Sequence, residues 1–176
     1  MPSMPKPETE PIRTALSKAD GIDLGIIELF FFAYRDFTSD ADQILETYGF
    51  GRAHHRVLHF VNRMPGLTVA ELLDVLKITK QSLARVLKQL IDSGHIVQIQ
   101  GLHDRRQREL YPTAAGRELA LALAKPQSRR IRAALIETGA HQRSVIESFL
   151  TAMIDPELRP QVEKLADIKP EEANHG

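Results

Sequence analysis

LTVAELLDVLKITKQSLARVLKQLIDSGHIVQIQGLHDRRQRELYPTAAG, residues 67–116, holds two short helical periods, a glycine stop and two β-prone runs joined by a basic turn. Thr68 followed three residues later by Glu71 is a capping box, and it starts a brief helix over 69–75 whose Leu72, Leu73 and Leu76 face inward. Thr79 is the N-cap of the next helix, where Leu83, Val86, Leu87, Leu90 and Ile91 fall at i, i+3, i+4, i+7 and i+8 and make one apolar stripe. Lys80, Gln81, Ser82, Arg85 and Gln89 take the opposite face. Gly94 stands where a helix end favours positive φ, residues 95–100 read as a strand, GLHDRRQ as a polar turn and RELY as the returning strand. Two short helices, a hairpin and a basic tip form the pattern of a winged helix-turn-helix.

Working outward, the pattern stays helical. Upstream, Asp23 caps a helix over 23–37 whose Leu24, Ile26, Ile27, Leu29, Phe30, Phe31, Phe32, Tyr34 and Phe37 leave little polar face. Such a helix needs cover on more than one side; in so short a chain the second cover is another copy of the protein, with burial inside the monomer as the alternative. A turn at TSDAD (38–42) and a helix over 51–63 lead into the central stretch. Downstream, Thr113 opens a long helix that Pro126 kinks or breaks, Gly139 turns the chain, and a last helix over 141–154 puts Val145, Ile146, Phe149, Leu150 and Met153 on one face. The expected fold class is mainly α with a small β-hairpin wing. The expected organisation is an N-terminal arm (1–21), an N-terminal dimerisation helix region (22–48), the winged helix-turn-helix (49–112), C-terminal dimerisation helices (113–155) and a Pro- and Glu-rich tail (156–176).

With 176 residues the chain is long enough for one apolar core without disulfides or a structural metal. The absence of cysteine excludes thiolate metal sites, a cysteine nucleophile and thiol-based redox sensing. No run approaches the ~18 apolar residues of a membrane helix, and the Pro-rich opening is unlike a secretory signal, so a cytoplasmic location is expected. Net charge is zero, which excludes a polycation that coats nucleic acid, but the distribution is uneven. Between residues 77 and 108 seven basic side chains face two acidic ones, while the flanking segments are slightly acidic. An anionic partner is therefore attracted to the central segment.

The second helix of a helix-turn-helix enters the DNA major groove and presents its N-terminal side chains to base edges. Here these are Lys80, Gln81, Ser82 and Arg85. Arg and Lys donate to guanine and Gln pairs with adenine, yet the same groups serve as phosphate contacts, and the sequence leaves that choice open. Arg105 or Arg106 at the hairpin tip suits a minor groove, with Asp104 orienting a guanidinium, and Lys77, Lys88 and Arg108 suit phosphates. A solvated charged face is the bland alternative for all of them.

The quoted stretch resembles the winged helix-turn-helix of the MarR family of transcriptional regulators, most specifically in ITKQSLARVLKQLIDSG (78–94) and DRRQRELYPTAAG (104–116), and the flanking helices extend the likeness over residues 22–154. GFGRAHHRVLHFV (49–61) resembles the PetP-type subgroup. The resemblance implies a homodimer gripping a pseudo-palindromic operator on double-stranded DNA, a repressor and sometimes an activator, often released by a small-molecule effector. It assigns Lys80, Gln81, Ser82 and Arg85 to recognition and Asp104, Arg105 and Arg106 to the wing. Pro112 departs from the family, which has Leu before the Thr of its LT-x-x-G signature, and that puts the end of the second strand in question. An effector pocket of the family's kind would be bounded here by Tyr34, Phe37, His55 and His59; ordinary core packing uses the same residue types.

His55 and His59 share one helix face at a spacing able to chelate a cation, which is the whole case for a metal- or haem-responsive regulator on the same frame. HHRVLH lacks the Glu of the HExxH zinc motif, and neither a metal nor any other cofactor is expected. No phosphate loop, nucleophile elbow or kinase signature is present, so an enzyme is not expected. The competing reading from another class is a winged module whose basic face meets an acidic protein.

Overall fold

In the computed structural model, which describes residues 21–101 and 107–166, the Asp23 carboxylate accepts the Ile26 N–H at 3.0 Å and so caps α1 (Leu24–Thr47). The expected end of this helix at Phe37 and the turn at TSDAD are corrected: α1 continues for ten more residues. Ala41 and Leu45, one turn apart on one face, are fully buried and hold the extension in the core. The aspartates that read as turn formers are satisfied by guanidinium groups instead. Arg130 grips Asp40 through two bonds of 2.5 and 2.7 Å, which holds that carboxyl below its ordinary pKa, and Arg52 grips Asp42 at 2.7 Å.

The chain divides into two compact units, with the boundary between Asp36 and Phe37. In the described part of the first unit, α1 exposes Ile26, Ile27, Leu29, Phe31, Phe32 and Tyr34, and the Arg35 guanidinium lies over the Phe32 ring at 5.0 Å. The second unit holds the core. Gly49, at φ +67°, lets the chain leave α1 and enter α2 (Arg52–Arg63), which buries His54, Val57, Leu58 and Val61.

The central stretch forms α3 (Val69–Leu76) and α4 (Lys80–Asp92). Thr68 Oγ1 accepts the Glu71 N–H while the Glu71 carboxylate accepts the Thr68 N–H, the reciprocal cap its spacing predicts. Between the helices Lys77 turns the chain at φ 51°, the only non-glycine residue described with positive φ, and Arg56 of α2 donates to the Leu76 carbonyl at 2.9 Å. Leu83, Val86, Leu87 and Leu90 of α4 are buried against α2 and the hairpin.

β1 (Ile96–Gln100) pairs antiparallel with β2 (Arg108–Pro112), from Ile96 opposite Pro112 to Gln100 opposite Arg108. Pro112 does not cut the strand short; it is the last residue of β2 and is buried. A proline is tolerated at such an end because no further ladder bond is required of its nitrogen. Thr113 then caps α5 (Ala114–Thr138), its Oγ1 accepting the Gly116 N–H at 3.0 Å.

Pro126 lies inside α5 without breaking it. A short 3₁₀ turn, Ala140–Gln142, precedes α6 (Arg143–Ala152), which buries none of its own residues. Part of the segment expected as a tail folds as α7 (Arg159–Ala166). Arg159 caps the end of α6 by donating to the Ala152 and Ile154 carbonyls, and Arg63 of α2 donates to the Leu165 carbonyl. Seven helices and one hairpin are thus present among the described residues. No described helix is long and apolar enough to cross a membrane.

Candidate nucleic-acid interface

The polar face of α4 is set by the way the helix begins. Thr79 Oγ1 accepts the Ser82 N–H at 3.2 Å and donates to the Ser82 hydroxyl at 2.9 Å, so Ser82 stands in the cap as well as on the exposed surface. Lys80, Gln81 and Arg85 are exposed. Their heads project from the first two turns, the part of a recognition helix that reaches base edges. Lys88 is exposed too, one turn further on, and pairs with Asp92 at 2.5 Å. That pair is cheap to open, since exposed ion pairs are worth about 0–1 kcal/mol.

Where the two strands give way to the turn, Gly101 N–H donates to the Gln107 carbonyl at 3.0 Å. Arg108, exposed at the start of β2, borders a shallow concavity of about 300 Å³ with Thr68, Val69, Ala70, Gln98 and Gln107. The start of α3 and the turn-side half of the hairpin therefore share one surface that carries a guanidinium. The hairpin tip, with the expected Asp104, Arg105 and Arg106, lies outside the described residues.

These likenesses decide the family. A model of the MarR family matches residues 48–107. The HTH-type transcriptional regulator PetP of Rhodobacter capsulatus is 47% identical over 141 residues, which cover 80% of this chain and 85% of that protein. The chain belongs to the MarR family. Among solved structures, a MarR transcriptional regulator from Methanosarcina mazei Go1 superposes with a TM-score of 0.62 at 24% identity, covering 82% of this chain and 96% of the other. MepR of S. aureus, solved as a MepR–DNA complex, superposes with a TM-score of 0.59 at 19% identity, covering 75% of this chain and 96% of that one. This MarR-family chain is a helix-turn-helix transcriptional regulator and not an enzyme.

The residues expected to bound an effector pocket fall in different places. Tyr34 is exposed in the first unit, while Phe37, His55 and His59 belong to the second. Phe37 is half-buried, and its carbonyl accepts a bond from Gln127 at 3.2 Å. Burial pushes the His55 imidazole below its ordinary pKa, the neighbouring His59 adds to this, and Asp42 opposes it. His59 is lowered by loss of hydration and then by Arg63; it packs edge-on against Phe60 at 5.1 Å but keeps one side in solvent. Both rings therefore favour the neutral form. Among the described residues, no group of three or more His, Asp or Glu is arranged to hold a metal ion, and two imidazoles alone leave a tetrahedral site half filled.

One pair escaped the sequence reading. Gln89, expected on the open polar face of α4, is held from behind by the buried His54 of α2, with Nε2 and Oε1 2.8 Å apart. The signal was the spacing Gly51 to His54, a helix start with an imidazole at its third residue.

Proposed function

We propose that this MarR-family regulator acts as a homodimer in the cytoplasm, places α4 of each protomer in a major groove of double-stranded DNA, and represses from a pseudo-palindromic operator. The observation that carries this reading is the exposed start of α4, where Lys80, Gln81 and Arg85 have no hydrogen-bond or salt-bridge partner among the described residues. A helix start with three unengaged donors on one surface is built for an external acceptor. The segment's excess of basic over acidic side chains supports an anionic partner. So does the existence of a MepR–DNA complex in the same fold.

Arg105 and Arg106 enter the minor groove beside each half-site, with Asp104 orienting them, and Lys88 and Arg108 neutralise phosphates. Half-sites lie about one helical turn, ~10 bp, apart. A small amphipathic effector acting near Phe37, His55 and His59 would release the operator; the donor set argues against a metal in that role.

Selection of bound sequences from random duplex DNA tests the reading. An inverted repeat with a steep salt dependence of affinity is expected. Arg85→Ala lowers operator affinity by about 1–3 kcal/mol and relaxes base preference at one position per half-site, with the oligomeric state unchanged. No enriched sequence at any salt concentration overturns it.

A further inference from the structure

We propose that His54 is a positioning residue for DNA recognition, holding through Gln89 the flank of α4 that carries Ser82 and Arg85; the inference rests on the operator-binding reading above. Gly51, the N-cap of α2, has no side chain to offer the helix start, and its backbone N–H donates to His54 Nδ1 at 3.1 Å. A nitrogen that accepts carries no proton, so the neutral ring bears its hydrogen on Nε2. That hydrogen points at Gln89 Oε1, 2.8 Å away and 35 positions along the chain.

The ring has little freedom to do anything else. It is buried at 8% exposure and stacks on Phe50 with centroids 4.7 Å apart and planes 9° from parallel. Phe50 in turn meets the edge of His95 at 5.4 Å, and His95 is buried as well. Two bonds and a stack make His54 a fixed point of the module.

Ser82, Arg85 and Gln89 stand at i, i+3 and i+7 and lie along one flank of α4. The apolar stripe on the other side sets how deeply the helix sits, but contacts among Leu and Val are non-directional and tolerate a small roll. The bond to Gln89 is directional and sets that roll. A roll of ~10° moves a group about 6 Å from the helix axis by ~1 Å, enough to spoil a two-point contact with a base.

His54→Phe keeps the ring and its stack and loses both bonds. His54→Gln offers an amide donor at about the reach of Nε2. Gln89→Leu removes the acceptor from an exposed position and keeps the test alive should His54→Phe fail to fold. Each is measured on the operator selected with the wild-type protein, on an unrelated duplex of equal length and for thermal midpoint. His54→Phe and Gln89→Leu are expected to weaken operator binding about tenfold, leave the unrelated duplex and the salt slope unchanged, and lose no more when combined than singly; His54→Gln recovers most of the loss. Wild-type operator affinity in His54→Phe, equal losses on both duplexes, or losses that multiply in the double variant would each overturn the inference, the last by showing that the two side chains act independently. Failure of the wild-type protein to select any operator would overturn the binding reading and this inference with it.

Discussion

Gly116 shows how much of the wing's attachment depends on one missing methyl group. A Cβ built there would lie 2.0 Å from the His95 carbonyl oxygen, and its backbone φ is not in the left-handed region, so the requirement is for space and not for conformation. Around it the strand end and the helix start are tied together. Thr113 donates its N–H to the His95 carbonyl and its hydroxyl to the Gly94 carbonyl, and Asn62 reaches the Gly116 carbonyl at 3.4 Å. Gly116→Ala should therefore destabilise the fold by about 1–3 kcal/mol, the usual cost of overpacking, read as a lower urea midpoint at unchanged slope. An unchanged midpoint would show that the start of α5 shifts freely. The threonine caps were legible in the sequence because a cap and its partner sit three residues apart. The need at Gly116 was not, because the atom that excludes a side chain belongs to a residue 21 positions earlier.

At the scale of elements the same division holds. The starts of α3, α4 and α5 follow from Thr68, Thr79 and Thr113, each of which accepts the N–H its position predicts. The stripe on α4 predicts its buried face, including Leu83 and Leu90. The errors came where local polarity stood against distant partners: TSDAD reads as a turn until Arg52 and Arg130 supply the charge that its aspartates lack. Of the kink or break expected at Pro126, the break does not occur. Pro126 withholds the bond that the Ala122 carbonyl would receive, yet α5 survives because both sides of the proline are anchored. Leu119 and Leu123 are buried before it, and after it Gln127 and Arg130 bind the Phe37 carbonyl and the Asp40 carboxylate of α1. If those anchors alone carry the helix, Pro126→Ala restores a bond without disturbing them. A gain of about 1–3 kcal/mol is expected, measured by chemical denaturation. A loss would mean that the proline itself sets the helix geometry that brings Arg130 to Asp40.

For the whole molecule, the drive to associate comes from apolar surface that a single chain leaves wet. α6 has ten residues, too few to be stable alone in water, and it leaves Val145, Ile146, Phe149 and Leu150 exposed, with Met153 exposed at its C-cap. The first half of α1 likewise exposes Phe31 at 70% and Leu29 at 64%. Each large apolar side chain covered contributes about 1.5–3 kcal/mol, so two such faces supply more than an isolated chain can forgo. In the homodimer proposed above a second copy closes them, since a two-fold arrangement offers each face its own complement. The wild-type protein should sediment at about twice 19.8 kDa, with a melting temperature that rises with protein concentration. Phe31→Glu and Phe149→Glu should each shift it toward the monomer while leaving α2 to α4 intact. The DNA consequence is then separable from the recognition chemistry. With Lys80, Gln81 and Arg85 untouched, a monomer still reads one half-site but loses the linkage between two, so affinity for the full operator should fall by about 10²–10⁴. Sedimentation of the wild-type protein as a monomer at every concentration would refute the dimer, and full operator affinity in a monomeric variant would refute the need for two linked recognition helices.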